Sequence, residues 1–132
     1  MISNLYCIPC SDAHKEVIEL LGFYNDDFNV IIRFVSIHKE HEMVINHILN
    51  FASNENIANI LHDWYMTRDY EKWSLKHKMS NICKLDNHAN LWAKQIDFNS
   101  TPTFFLNEKK IVSPFSIYDL KFHLRELIEN LP

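Results

Sequence analysis

The chain contains a single glycine, Gly22. Loops that cradle phosphates need backbone positions that only glycine fills without strain. One glycine therefore excludes the phosphate-binding loops of both the dinucleotide-binding and the Walker type. It also disfavours sandwiches and barrels assembled from many tight hairpins. The 132 residues are 47% hydrophobic, enough for one domain with a real core and too apolar for disorder. Thirteen Lys and Arg stand against 17 Asp and Glu, so there is no basic field for a nucleic-acid backbone and no nucleic-acid partner is expected. No stretch approaches about 18 uninterrupted apolar residues, so no membrane-spanning helix is expected. The N-terminus, Met1 to Asn4, is too short for a signal peptide, so the expectation is a cytosolic protein or an excised or processed piece of a longer chain.

Apolar periodicity divides the chain into elements. Residues 1–6 read as the end of a short extended segment entering a turn. From Pro9 a helix is expected, with Ala13, Val17, Leu20 and Leu21 on its buried side. Pro9 suits the first turn, where its missing N–H costs nothing, and Gly22 is expected to end the helix as a left-handed cap. Residues 29–37, N-V-I-I-R-F-V-S-I, read as a strand covered on both faces. Residues 38–97 hold no Pro or Gly and predict four helices. The first is marked by Met43, Ile48, Leu49 and Phe51. The second carries Ile57, Ile60, Leu61, Trp64 and Tyr65 after a Ser53 cap. Asp69 opens a short third around Trp73, and Leu85, Ala89, Leu91, Trp92, Ala93 and Ile96 mark the fourth. A hairpin comes after Pro102, with strands at 104–106 and 111–112 and a turn at 107–109. S-I-Y-D at 116–119 has capping-box form and opens a final helix through Leu120, Leu124, Leu127 and Ile128. The order predicts a single α/β domain over residues 1–132, a small sheet with helices on its faces.

The cysteines are Cys7, Cys10 and Cys83. An odd, sparse set argues against a disulfide-stapled secreted scaffold. Cys7 and Cys10 stand at C-x-x-C spacing where an extended segment passes into a helix. The first turn of a helix offers unpaired N–H groups and the positive end of the macrodipole. A thiol placed there is stabilised as thiolate, the attacking species in disulfide exchange. Spacing of three residues brings Cys10 back over Cys7. Cys7, at the exposed end, is the expected nucleophile and Cys10 the expected resolving thiol, with Ile8 and Pro9 keeping the turn stiff and apolar.

Other readings stand beside this one. The pair could be inert, or it could be half of a structural zinc site completed by Cys83 and His88. A single helix start with no second knuckle suits zinc poorly. Cys83 reads as a buried small hydrophobe or as a third redox thiol. His14 is expected on the solvent side of its helix, with tuning of the thiolate as the alternative. Trp64, Tyr65, Trp73 and Trp92 read as core of the helical block, Tyr6 and Ile8 as substrate contacts. Pro102 is either a strand-starting proline or a cis-proline.

C-I-P-C opening a helix, with Thr101-Pro102-Thr103 leading a Phe-Phe-Leu strand far downstream, resembles the thioredoxin-fold disulfide oxidoreductases. The resemblance implies that Pro102 is cis and lies against the cysteine pair. It also implies that the Thr101 peptide group pairs with the extended chain of a bound substrate. The block at 38–97 is longer than in plain thioredoxins and resembles the DsbA-like helical insertion. N-L-Y-C-I-P-C-S-D-A-H-K-E, L-H-D-W-Y with E-K-W after it, S-T-P-T-F-F-L-N and S-P-F-S-I-Y-D-L resemble the thioredoxin-like domains fused to bacterial vitamin K epoxide reductase homologues.

The function implied by the resemblance is thiol–disulfide exchange with the thiols and disulfides of protein substrates, without metal or organic cofactor. A membrane quinone-linked partner is implied as well. The compartment would be periplasmic, or the extracytoplasmic face, if the parent is membrane-fused, and otherwise cytoplasmic. Two departures are visible. The family's buried aspartate falls here on Met1. Only six residues precede Cys7, so the leading strand is expected to be cut short, the chain to be a fragment, and open sheet edges to favour a swapped or paired homodimer. The competing functions are a non-catalytic module that holds a peptide against Pro102 with a structural disulfide, and a metal-bound or thiol-transfer protein using Cys7 and Cys10.

Overall fold

The computed structural model describes residues 1–24, 29–36, 38–53, 55–79, 81–82, 89–96, 100–111, 119 and 126. Its sheet is organised around β1 (Ile2–Ser3), which pairs in parallel with β2 (Arg33–Phe34). The carbonyls of Met1 and Ser3 accept from the N–H groups of Arg33 and Val35 at 2.8 and 2.9 Å. On its other side Ile2 exchanges both backbone hydrogen bonds with Thr103, at 2.8 and 3.1 Å. Beyond Thr103 the chain forms an antiparallel hairpin of β3 (Phe105–Leu106) and β4 (Lys109–Lys110). The expectation that the leading strand leaves open edges in the middle of the sheet is corrected: β1 is short, but it is bonded on both sides and fully buried. Its shortness limits its neighbour. Among the described residues of the strand expected over 29–37, the ladder is at Arg33–Phe34, and Ile31 is 65% exposed rather than covered.

A parallel pair needs a crossover, and α1 (Ile8–Tyr24) begins it. The helix runs through Gly22, which corrects the expected cap. No glycine takes a positive φ, and a Cβ built on Gly22 would meet nothing within 4 Å, so open space on that side leaves the helix free to continue.

Three helices come next: α2 (His41–Phe51), α3 (Ile57–Thr67) and α4 (Tyr70–Lys76). The buried face of α2 is Val44, Ile45, His47 and Ile48, whereas Met43 and Leu49 are exposed, a correction to the expected apolar stripe. Both lie at the margins of that face, well round the helix from Val44 and Ile48, and a polar side chain sits within it. His47 Nε2 lies 2.8 Å from the carbonyl of His77, which can only accept, and Nδ1 lies 2.9 Å from the Tyr70 hydroxyl. The buried imidazole is thereby satisfied at both nitrogens. Ser53 is not the cap of α3: that position is Asn56, whose N–H bonds the Ser53 hydroxyl. Asp69 does cap α4, accepting from the Lys72 N–H at 3.2 Å.

Successive residues of a strand face opposite sides, and β2 shows it. Phe34 enters a cluster with Leu5, Val44, Ile48, Leu61, Trp64 and Trp73. Val35, the next residue, joins Ile2 and Ala93 of α5 (Ala89–Gln95), with Trp92 and Phe105 against them. Helices therefore cover both faces of the small sheet. The Arg33 guanidinium lies 4.6 Å from the centre of the Trp92 ring.

The hairpin turn is two residues, not three. Asn107 and Glu108 have φ of 47° and 71°, the pattern of a type I′ turn, and Lys109 already belongs to β4. The return strand accordingly begins earlier than expected, at Lys109–Lys110, and the Ile111 N–H continues the pairing by donating to the Phe104 carbonyl at 2.9 Å, while residue 112 lies outside the described residues. Cys83, Leu85, His88 and nearly all of the expected final helix lie outside the described residues. Among the described residues no helix is long and apolar enough to cross a membrane.

Because Gly22 is a helical position with open space around it, Gly22→Ala is expected to raise the unfolding free energy by about 0.5–1 kcal/mol. Urea denaturation of the two chains measures it; an unchanged or lowered midpoint would mean that residue 22 is not helical in solution.

Candidate active site

The turn that carries the cysteines is fixed before the helix starts. The Asn4 side chain accepts from the Tyr6 N–H at 2.9 Å, and the Asn4 carbonyl accepts from the Cys7 N–H at 3.2 Å. The Cys7 carbonyl then accepts from the Ser11 N–H at 3.4 Å, the first helical bond of α1. Cys7 thus stands at the N-cap, and its side chain acts as the cap: the Cys10 N–H points at Cys7 Sγ, 3.4 Å away. A cap residue satisfies one of the orphan N–H groups of the first turn, here with sulfur in the role usually taken by oxygen.

The two thiols are free and differently placed. Cys7 is half-buried and Cys10 is 0% exposed. The Asn4 N–H lies 3.4 Å from Cys10 Sγ, and Cys7 Sγ lies 3.4 Å from the Thr101 carbonyl. The Thr101–Pro102 peptide is cis. Cys7, Cys10 and Thr101, drawn from opposite ends of the sequence, therefore meet at one place, with Pro102 next along the chain.

Electrostatics separates the two sulfurs. Burial alone would push Cys7 up. It is outweighed by hydrogen bonds from the Cys10 thiol, from the Thr101 side chain and from the Cys10 N–H, and by the charge of Arg68, so Cys7 titrates below the ordinary thiol value. Cys10 goes the other way: burial first, then its bond to Cys7, push it up, and contacts with Asn4, Thr101 and Ser3 offset this only in part. The half-exposed sulfur is the better thiolate and the buried one the better thiol.

The remaining expected site residues fall into two groups. Tyr6 and Ile8 flank the pair on its outer side, 37% and 65% exposed, and Pro9 is exposed between the cysteines. The Tyr6 ring stacks on His41 with centroids 3.8 Å apart and meets the edge of Trp64 at 5.4 Å. His14 contradicts its expected position. It is 4% exposed, not solvent-facing, and its ring lies 5.7 Å from that of Tyr65. Its place on the wheel explains this, since Cys10, His14, Val17 and Leu21 share one helical face. Burial, with the neighbouring His62 adding to it, holds the His14 imidazole below its ordinary value against the opposing bond to the Ala58 backbone.

Three further residues complete the site: Ser3, which carries no sequence signal, and Tyr65 and Trp64, which the sequence marks only as core of the helical block. Ser3 Oγ lies 3.3 Å from the Tyr65 hydroxyl. Tyr65 is pushed up to about 12, by burial first and also by charge on the two sulfurs, against the Ser3 bond and Arg68. Trp64 Nε1 donates to the Leu5 carbonyl at 2.8 Å, fastening the residue two places before Cys7 to α3. No spacing signal marks these contacts, because they cross some sixty residues of chain.

Among the described residues no group of three or more His, Cys, Asp or Glu is arranged to hold a metal ion, and the candidate zinc partners Cys83 and His88 lie outside those residues. A separate concavity of about 570 Å³ between α1, β2 and α2 is lined by His14, Val17, Phe34, Ile48 and Ile57 and does not include the cysteines. The chain matches no protein-family model, no curated protein and no solved structure.

The depressed titration of His14 has a definite sign. Its unfolded form takes up a proton near the ordinary histidine value of about 6.5 while the folded form resists, so stability is full above that pH and falls as pH drops toward the folded value. His41, also held down by burial, adds in the same direction. Denaturation midpoints taken from pH 7.5 to 5 are expected to decline less steeply in His14→Gln than in the parent; parallel slopes would show that His14 does not contribute.

Proposed function

We propose that the chain is a thiol–disulfide oxidoreductase acting on protein thiols and disulfides through Cys7 and Cys10, on a thioredoxin-like architecture with a helical insertion at 38–97. One observation carries the reading: a half-exposed sulfur caps a helix, with a buried partner thiol behind it and the Thr101 carbonyl before a cis-proline against it. The layout of the sheet supports it, since a β1–α1–β2 parallel unit is bridged antiparallel to the segment after Pro102.

With the pair reduced, the Cys7 thiolate attacks one sulfur of a substrate disulfide. That S–S bond breaks, and the departing substrate thiolate takes a proton. Cys10 loses its proton and attacks Cys7 Sγ, releasing the second substrate thiolate, which is protonated in turn. Two electrons pass from the pair to the substrate, one proton comes from Cys10 and the other from solvent, and Cys7 and Cys10 end as a disulfide. The reverse sequence forms a disulfide in the substrate. In either direction Cys7 is the sulfur that bonds to the substrate, because Cys10 is closed to solvent.

Tyr6 and Ile8 are the proposed contacts for the substrate chain, with the Thr101 peptide group beside them. The sequence resemblance extends the proposal to a membrane quinone-linked partner on the extracytoplasmic side.

Turnover of insulin disulfides with dithiothreitol as reductant tests the reaction. Cys7→Ser is expected to lower the rate above the uncatalysed background at least ~100-fold, because the attacking nucleophile is gone. Cys10→Ser is expected to accumulate a mixed disulfide through Cys7, seen as a shifted band on a non-reducing gel. Insulin reduction that survives Cys7→Ser intact would sink the proposal.

A further inference from the structure

The cavity between α1, β2 and α2 lies apart from the cysteines and has no part in the exchange chemistry. At about 570 Å³ it falls within the roughly 300–1,000 Å³ of small-molecule sites. Ile18 faces it from α1, Ile32 from just ahead of β2 and Ile48 from α2. Apart from His14, Asn29 and Ser53 its lining is apolar, and among the described residues no Asp, Glu, Lys or Arg reaches it. Such a wall would strip water from a charged occupant and offer no counter-charge, so it selects against ions.

Asn29 and Ser53 are exposed and keep their water, which leaves His14 as the buried polar residue of the wall. It is 4% exposed, and its Nδ1 is closed to solvent without a hydrogen-bond partner among the described residues. Two other buried imidazoles are treated differently. His47 is paired at both nitrogens, with the Tyr70 hydroxyl and the His77 carbonyl, and His77 pairs with Asp63 at 2.9 Å. Nor does the nearest phenol serve His14: the Tyr65 ring lies 5.7 Å away, but its hydroxyl is engaged with Ser3 Oγ. A buried polar atom left without a partner carries its full desolvation cost. In an otherwise apolar cavity a lone group of this kind is what fixes the orientation of a small ligand.

We propose that this cavity binds an uncharged, mostly apolar molecule carrying a hydroxyl group, its apolar body filling the space between α1, β2 and α2 and its hydroxyl pairing with His14. A neutral imidazole has one N–H and one lone pair, and burial of His14 favours that form. A hydroxyl both donates and accepts, so it suits Nδ1 in either tautomer, whereas a carbonyl suits only one. The apolar body supplies affinity through the surface it buries, and the hydroxyl supplies selectivity. The site stands independently of the exchange reaction, since neither cysteine lines it.

The test uses the full chain with its histidines isotope-labelled, and 2-naphthol, naphthalene and 2-naphthoate as probes near neutral pH. The three share one apolar body and differ in carrying a hydroxyl, nothing or a charge. The parent is expected to bind 2-naphthol saturably, about five- to tenfold tighter than naphthalene, the worth of one net hydrogen bond, and to bind 2-naphthoate more weakly than 2-naphthol. His14→Phe keeps an apolar wall and removes the nitrogen. It is expected to bind naphthalene as the parent does and to lose the preference for 2-naphthol, whereas a purely structural role would weaken both probes alike. Ile18→Trp, which crowds the cavity from α1, is expected to abolish binding of both. Equal affinity of the parent for 2-naphthol and naphthalene overturns the proposal, as does 2-naphthoate binding as tightly as 2-naphthol, or no saturable binding of any probe. A His14→Phe chain that keeps the preference, or an Ile18→Trp chain that binds as the parent does, overturns it too. Should His14→Phe not fold, the Nδ1 resonance of His14 in the parent decides. It should shift with 2-naphthol well beyond any shift with naphthalene, and equal shifts overturn the assignment. No disulfide is exchanged in these measurements, so a chain inactive toward insulin leaves their outcome untouched.

Discussion

The two backbone hydrogen bonds between Ile2 and Thr103 decide where the sulfurs sit. Each is worth only about 1 kcal/mol net, so their weight is geometric rather than energetic. They lay the first strand beside a segment from the far end of the chain, and this brings the Thr101 carbonyl over Cys7. Without that register the cysteine turn would face solvent alone. β2 on the opposite side of β1 supplies the second half of the constraint, and α1 fills the crossover between them.

The helical block reaches the site from a different direction. Its aromatic core, with Trp64 and Trp73 buried at 0% and 1%, fixes the end of α3 against the residues that precede Cys7. From that one end come an indole bonded to Leu5 and a phenol bonded to Ser3. The block is thus more than a cover for the sheet. A polar chain through Tyr70, His47, His77, Asp63 and Lys76 ties α2, α3 and α4 together, so the side chains at the end of α3 are held by a rigid body.

Much of this is legible in the sequence, for reasons that can be named. The C-x-x-C at a strand-to-helix junction and the proline before a short strand depend on local chain chemistry, and both lie where that chemistry places them. Asp69 is readable as a cap because a carboxylate three residues before a free N–H is a local device. The differences share a physical cause. Residue type alone assigns His14 to solvent, although Cys10, Val17 and Leu21 already define its face as inner. Gly22 reads as a terminator, but glycine ends a helix only when a left-handed turn is needed, and here none is. Met43 and Leu49 read as core because they are apolar, although Val44 and Ile48 centre the inner face away from both and His47 lies within it. The contacts that Ser3, Tyr65 and Trp64 make beside the cysteines stay out of reach, since they join distant segments and leave no periodic trace.

One arrangement has an optical corollary. The indole of Trp64 is bonded to the peptide group two residues ahead of Cys7, touches Tyr6 with its edge, and meets Trp73 at 6.0 Å and 84°. Two chromophores so close and so nearly perpendicular form a chiral pair whose near-ultraviolet dichroism depends on their mutual angle. The molecule therefore carries its own dichroic gauge beside the thiols, one that registers displacements of the cysteine turn without any attached dye.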